Sequence, residues 1–327
     1  MISVDLGTTN LLVAVKDRGI VFNEPVVLAI ERENGRIAAI GNEVELVAEK
    51  APPSLMIVSP MRRGVIADYA LAQSYLKHAL RKCLRRPAVR RPPVAVGTLS
   101  SIKDIDRRAL YQVLESAGCG AVSCCYESVA AAAGMGLPVW EPRGIALCDV
   151  GGGVSEVAVL CLGGVVEALV VPVGGADFNA AIQRHVRDAH KLNIGNRSAE
   201  ALKIQFSSSG VRERDGALAV SGVNRLTGLP QRIQLNTGEI LEALEPQFVQ
   251  ISDGIKKALR QVSPELMADI VEGGIVVCGG GALLGALRRL IEREIGIGAI
   301  AAEQPLTCVA VGLMGALDDG RPRRGPR

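Results

Sequence analysis

Short apolar runs bounded by glycine and acidic residues alternate along this chain with longer stretches whose apolar positions recur every three or four residues. The short runs predict strands at residues 1–4, 11–15, 93–99, 145–148, 157–162 and 275–278. The longer ones predict helices at 103–117, 128–134, 178–190, 198–208, 237–262 and 282–294. The clearest helix is 67–86, where Leu71, Tyr75, Leu76, Ala79, Leu80 and Leu84 share a face and Asp68 stands in the first turn. A Thr-Gly-Glu sequence opens 237–262 with capping chemistry, and residues 216–235 read as a β-ribbon turning near Gly228. Strands and helices mix in both halves, which predicts an α/β protein with mixed sheets.

The pattern also repeats. A strand runs into Asp5-Leu6-Gly7-Thr8-Thr9-Asn10 and a second apolar run follows; 144 residues later another strand runs into Asp149-Val150-Gly151-Gly152-Gly153, again followed by an apolar run. Gly19 and Gly163 stand at the same offset, each before a further apolar strand. Both copies read as strand, tight glycine turn, strand, strand. Each turn offers backbone N–H groups with little side-chain bulk, which suits a phosphate, and each carries an aspartate at the strand end that a metal ion would neutralise. A third cluster, Gly279-Gly280-Gly281, lies between the predicted strand 275–278 and the predicted helix 282–294, an arrangement able to bind an anion. It lacks the lysine of a P-loop and the spacing of a dinucleotide fingerprint. Residues 141–144, with turn chemistry, read as the connection between the two copies.

Composition narrows the picture further. The 327 residues suffice for two domains, and with only 3% aromatics the cores must be built from Val, Leu, Ile and Ala. A net charge of +3 argues against a broad nucleic-acid surface. No run of about 18 apolar residues crosses a membrane, and the opening MISVDLG leaves no room for a signal peptide before the first turn. Eight cysteines, mostly within apolar runs and without a CxxC pair, are expected as reduced thiols, which predicts a cytoplasmic protein.

Ten segments carry a resemblance: ISVDLGTTN (2–10), NEPVVLAI (23–30), IGNEV (40–44), RRGVIADY (62–69), ESVAAAAGMGLPV (127–139), DVGGGVSEVAVL (149–160), VGGADFNAAI (173–182), GNRSAEALKI (195–204), VCGGGALLGALRRL (277–290) and PLTCVAVG (305–312). In this order they resemble the MreB family of bacterial actins over essentially the whole chain. The resemblance implies an actin-like fold: two duplicated domains at 1–142 and 143–317 with a nucleotide cleft between them. Each would hold a smaller inserted subdomain, near 31–62 and 184–245, and 318–327 would be a disordered basic tail. It implies ATP or ADP with Mg²⁺ in the cleft, with Asp5 and Asp149 facing the metal. Gly7, Thr8, Thr9 and Asn10 would form the first phosphate loop and Gly151, Gly152 and Gly153 the second. Glu200 and Lys203 would contact the nucleoside, Gly279, Gly280 and Gly281 would pass along the nucleotide, and Glu127 would position the attacking water.

The same resemblance implies nucleotide-dependent filaments of this chain with itself, slow ATP hydrolysis, and organisation of cell shape with wall-synthesis membrane proteins. It further implies peripheral attachment to the inner membrane face through the basic loop at residues 81–91, where Leu84 and Val89 lie among Arg81, Lys82, Arg85, Arg86, Arg90 and Arg91. Three departures bear on rate. The family usually has Glu-Glu-Pro where this chain has Tyr126-Glu127-Ser128, and Thr-Thr-Glu where it has Val154-Ser155-Glu156. A Pro-Ser-Gly turn is replaced around Gly97-Thr98-Leu99-Ser100-Ser101. These changes favour binding over fast hydrolysis and keep open a non-polymerising nucleotide-binding scaffold. A small-metabolite kinase on the same fold would need a second substrate pocket with a catalytic aspartate, for which the sequence offers no clear candidate.

Overall fold

The computed structural model describes residues 2–47, 51–84, 91–208 and 216–318. The first half contains β1 (Ile2–Leu6), β2 (Asn10–Val15), β3 (Gly19–Pro25), β4 (Leu28–Glu31), β5 (Ile37–Ile40), α1 (Asn42–Val47), β6 (Leu55–Val58), β7 (Met61–Arg62) and β8 (Val65–Ile66). It continues with α2 (Tyr69–Cys83), β9 (Val94–Thr98), α3 (Asp104–Ala117), β10 (Val122–Tyr126) and α4 (Glu127–Gly134). The second half opens with β11 (Ile145–Val150), β12 (Ser155–Cys161), β13 (Gly164–Val171), α5 (Gly175–His190), β14 (Leu192–Asn193) and α6 (Asn196–Ser208). It ends with β15 (Ala217–Asn224), β16 (Pro230–Asn236), α7 (Thr237–Leu259), α8 (Pro264–Gly273), β17 (Ile275–Cys278), α9 (Gly285–Ile295), β18 (Ala299–Ala301) and α10 (Cys308–Asp318).

The duplication is one of topology as well as sequence. One five-stranded sheet has the order β3-β2-β1-β9-β10 and the other β13-β12-β11-β17-β18. In each, the first three strands pair antiparallel and the last two join in parallel. Gly19 and Gly163 both take left-handed backbone, φ +67° and +73°, at the hairpins between second and third strands. Two three-stranded sheets are smaller additions, β5-β4-β6 within residues 28–58 and β14-β15-β16 within 192–236.

Each large sheet packs its apolar face into its own core. Ile2, Val4, Leu11 and Val13 meet Tyr75, Leu76, Val113 and Leu114 of α2 and α3 in the first half. Val157, Val159, Phe178, Ile182, Phe248 and Ile255 build the core of the second. A third cluster lies between the halves, made by α4, α10 and the inner strands: Ala130, Ala131, Leu147, Leu160, Cys278 and Leu313. Here α4 and α10 cross closely, because a side chain on Gly134 would overlap the Cys308 carbonyl and one on Gly312 the Ala130 carbonyl. Ser3 of β1 donates to the Ala310 carbonyl at 3.0 Å, so the last helix closes the first domain although it follows the second in sequence.

Several boundaries differ from the sequence reading. The helix expected at 67–86 is α2, with Asp68 as its N-cap, accepting from the Leu71 amide at 3.0 Å. In α7 the cap is Asn236, and Glu239 completes a capping box. The helix expected to follow the third glycine cluster directly is split into a 3₁₀ turn, Gly280–Leu283, and α9, because Leu284 is extended between them. The basic loop loses one of its expected cations, since Lys82 pairs with Glu24 at 2.9 Å. Arg85, Arg86, Val89 and Arg90, and the expected tail beyond Asp318, lie outside the described residues. No helix among the described residues is long and apolar enough to cross a membrane.

Candidate functional site

The two glycine turns are built alike. The Gly7 amide donates to the Asn10 carbonyl at 3.1 Å, and the Gly151 amide donates to the Val154 carbonyl at 3.0 Å, the same closure at the same sequence offset. They also meet face to face. A side chain on Gly152 would overlap the Thr9 hydroxyl, and a Cβ on Gly153 would sit 2.7 Å from the Thr8 methyl carbon. Glycine is required at these two positions because the opposing loop occupies the space a Cβ would need. Thr8 is fixed by accepting from the Gly64 amide at 2.8 Å, and Asn10 turns its side chain to Asn23 Oδ1 at 3.0 Å. The second turn is held from behind by α5, whose Gly175 and Ala176 amides donate to the Gly151 and Gly152 carbonyls at 3.0 and 2.8 Å.

Four carboxylates converge beneath these turns. Asp5 is the penultimate residue of β1, Glu127 begins α4, and Asp149 and Glu156 are directly paired across β11 and β12. Burial, with the neighbouring Asp149 charge, pushes Asp5 up to about 7. Burial pushes Asp149 up to about 6. Glu156 rises to about 7 through burial, moderated by the Ser100 amide. Glu127 is held well above the usual carboxylate range by burial and by the charges of Asp5, Glu156 and Asp149. None of the four has an ion-pair partner among the described residues. Glycine again makes the room, because a Cβ on Gly97 would lie 2.8 Å from Glu127 Cγ.

Glu156 is the residue the sequence reading left out of its site. It is 2% exposed, accepts from the Ser100 amide at 2.6 Å through Oε1, and buries Oε2 without a hydrogen bond. The Ser100 and Ser128 hydroxyls stand 3.2 Å apart beside it, so two positions where the chain departs from the family pattern belong to one polar network. Its signal was available, since a glutamate inside an otherwise apolar strand is rarely buried without a task.

The remaining candidates fall into two groups. Lys203 bonds Glu200 Oε2 at 2.7 Å and the Gly175 carbonyl at 3.4 Å, while Asn179 donates to the same Glu200 oxygen at 2.8 Å. These bonds tie the Glu200–Lys203 pair to the start of α5, next to the second turn, which an ordinary exposed helix pair would lack. Of the third cluster, Gly279 (φ +72°) presses on Asp149 and Val150, and Gly281 on the Val150 side chain. Those two glycines serve close backbone packing on the strand that carries Asp149, and Gly280 is the exposed member.

A family model described as MreB/Mbl protein matches residues 1–322. The chain belongs to the MreB/Mbl family. It is 39% identical over 316 residues to the cell shape-determining protein MreB of Escherichia coli strain K12, covering 95% of this chain and 91% of that one. It is 33% identical over 325 residues to the cell shape-determining protein Mbl of Bacillus subtilis strain 168, covering 99% and 98%. Among solved structures, MreB5 of Spiroplasma citri bound to AMPPNP superposes with a TM-score of 0.91 at 29% identity, over 97% of this chain and 95% of that one. The MamK double helical filament matches at a TM-score of 0.82 and 18% identity, over 98% and 99%, a likeness of fold. The actin-like fold expected from the sequence is therefore the observed one.

A cluster of four carboxylates with no cationic side chain paired to it among the described residues is suited to a hard divalent ion such as Mg²⁺. It also makes the metal-free MreB/Mbl chain sensitive to pH. Carboxyl groups with raised native values bind more protons folded than unfolded, so stability falls as pH rises from about 4 towards 7. Thermal unfolding in EDTA is expected to show a higher melting temperature at pH 5.5 than at pH 7.5, with the slope reduced in Asp149→Asn. Equal slopes in the two proteins would mean the cluster does not govern the effect.

Proposed function

We propose that this MreB/Mbl chain binds ATP with Mg²⁺ between its two glycine turns, hydrolyses it slowly, and assembles with itself into nucleotide-dependent filaments. The observation that carries the reading is the pair of matched turns meeting above four clustered carboxylates, Glu156 buried and Asp5, Glu127 and Asp149 half-buried. Thr8, Thr9 and the turn amides would hold phosphate oxygens, with Glu200 and Lys203 on the nucleoside side. Asp5 and Asp149 would hold the metal, with Glu156 behind them. Bound Mg²⁺ would offset phosphate charge and the repulsion among these carboxylates. Glu127, half-buried at the same floor, would accept a hydrogen bond from the attacking water and orient it. The AMPPNP-bound and ADP-bound structures of Spiroplasma citri MreB5 support nucleotide as the ligand, and the MamK filament supports polymerisation of this fold.

The cellular part of the proposal follows the relatives, whose names describe cell shape determination. It comprises a cytoplasmic filament peripheral to the inner membrane, attached through the basic loop at residues 81–91 and acting with wall-synthesis membrane proteins. With Lys82 engaged by Glu24, the remaining attraction would come from Arg81, Arg91 and the arginines between them.

A second reading is a nucleotide-binding scaffold without turnover, favoured by Val154, whose apolar side chain stands where the family carries a hydroxyl. One experiment separates the two. Light scattering and negative-stain microscopy are run with Mg-ATP, Mg-ADP and no nucleotide, alongside calorimetric titration of ADP. Assembly requiring Mg-ATP supports the filament reading. Binding without assembly supports the scaffold, and no binding removes both.

A further inference from the structure

The chain has three histidines, and the fold brings two of them together with one carboxylate far from the cleft. His185 and His190 lie on the last turns of α5, and Glu239 lies on the first turn of α7. His190 Nε2 is 2.7 Å from Glu239 Oε1, and His185 Nε2 is 3.7 Å from the same oxygen. The three ligand atoms all lie within 4.8 Å of one another. We propose that His185, His190 and Glu239 form a binding site for a divalent transition metal of the zinc class, with a fourth position open to water.

Three observations carry this assignment. First, a tetrahedral ion with ligands at about 2.0–2.1 Å separates its donors by about 3.3 Å, and the two nitrogen-to-oxygen edges, 2.7 and 3.7 Å, straddle that value. Second, His185 Nε2 is buried, aimed into the cluster, and without a hydrogen bond. A single His190–Glu239 hydrogen bond explains one imidazole and leaves that nitrogen orphaned, whereas an ion accounts for both. Third, the carboxylate is already oriented: Glu239 Oε2 accepts from the Asn236 amide at 2.8 Å in the capping box, which leaves Oε1 for the histidines. Metal-binding carboxylates are commonly held by such an outer hydrogen bond.

The donor set selects the ion. Two imidazoles and one carboxylate suit Zn²⁺, Co²⁺ or Ni²⁺ and are poor for Mg²⁺, which prefers oxygen. The side chains of His185, His190 and Glu239 are 19%, 28% and 30% exposed, so an ion has a path in and water can complete its shell. The consequence is mechanical. The far end of α5 would be stapled to α7, and the near end of α5 holds the second glycine turn through the Gly175 amide. The assignment is independent of whether nucleotide binds in the cleft.

The test is titration of Co²⁺ into the full-length protein with Mg²⁺ in excess, read by visible absorption, with thermal unfolding measured with and without Co²⁺. One equivalent is expected to give the visible band of tetrahedral Co²⁺ without sulfur-to-cobalt charge transfer, and to raise the melting temperature. His185→Gln, His190→Gln and Glu239→Gln are each expected to weaken binding by at least about tenfold, while His78→Gln, outside the cluster, leaves it unchanged. Circular dichroism confirms that each variant is folded. Wild-type affinity in folded His185→Gln and His190→Gln would overturn the site. So would a sulfur charge-transfer band, which would assign the ion to cysteines, or the absence of any tetrahedral band.

Discussion

Replacing Glu127 by Gln is expected to slow ATP turnover by about 10²–10⁴-fold while leaving ADP affinity close to that of the unaltered protein. The side chain starts α4, rises into the space left by Gly97, and faces Asp5, Asp149 and Glu156. Glutamine keeps the volume and can still donate to the surrounding carboxylates, so the site stays folded. It cannot accept a proton from water as a carboxylate does. Removing one charge from the crowded cluster should also leave the metal-free protein at least as stable as before. Because Glu127 titrates well above the ordinary range, turnover in the unaltered protein should rise with pH along a limb displaced upward from that of a free glutamate. Single-turnover phosphate release across pH measures both effects. An unchanged rate in Glu127→Gln would reduce this residue to a favourable charge at a helix start.

Gly312→Val is expected to cost about 3 kcal/mol of stability. At Gly312 the added Cβ overlaps the Ala130 carbonyl of α4, and at Gly134 the Cβ overlaps the Cys308 carbonyl in return. These are backbone atoms and cannot step aside as a side-chain tip would. The two helices would have to separate, and the buried cluster of Ala130, Ala131, Cys308 and Leu313 would open between the domains. Gly315 lies on the same helix, but a Cβ there meets nothing. Gly315→Ala should therefore be neutral or slightly stabilising, since alanine restricts the unfolded chain more. Denaturant unfolding of both variants measures the contrast. Equal stability would mean that the crossing yields easily. The same crossing couples the sheets that carry the two turns, so Gly312→Val should weaken nucleotide binding as well.

Much of the architecture is legible in the sequence. The 144-residue repeat led to two strand-turn-strand units, and the sheets repeat that order strand for strand. Asp5 and Asp149, Gly7 and Gly151 were paired correctly by position, because a tight turn and the strands flanking it are set by neighbours in sequence. Periodicity likewise located α2, α3, α5, α6 and α7 to within a few residues.

What was missed is equally specific. α10 was not predicted, because its sequence, CVAVGLMGAL, is apolar on every side and carries no helical stripe. It is apolar all round because it lies between the first sheet and α4, a placement that no local pattern announces. Glu156 reads locally as one acidic residue in a strand, and it becomes the fourth carboxylate only when β1, α4 and β11 converge on it. Lys82 reads as part of a basic loop until Glu24, distant in sequence, takes it. His185 and His190 meet Glu239 only when α5 and α7 pack. The sequence by itself determined turns, strands and the duplication, since these depend on residues a few positions apart. Tertiary structure decided which charges share a site and which helix joins the domains, because those energies arise between groups brought together only when the chain folds.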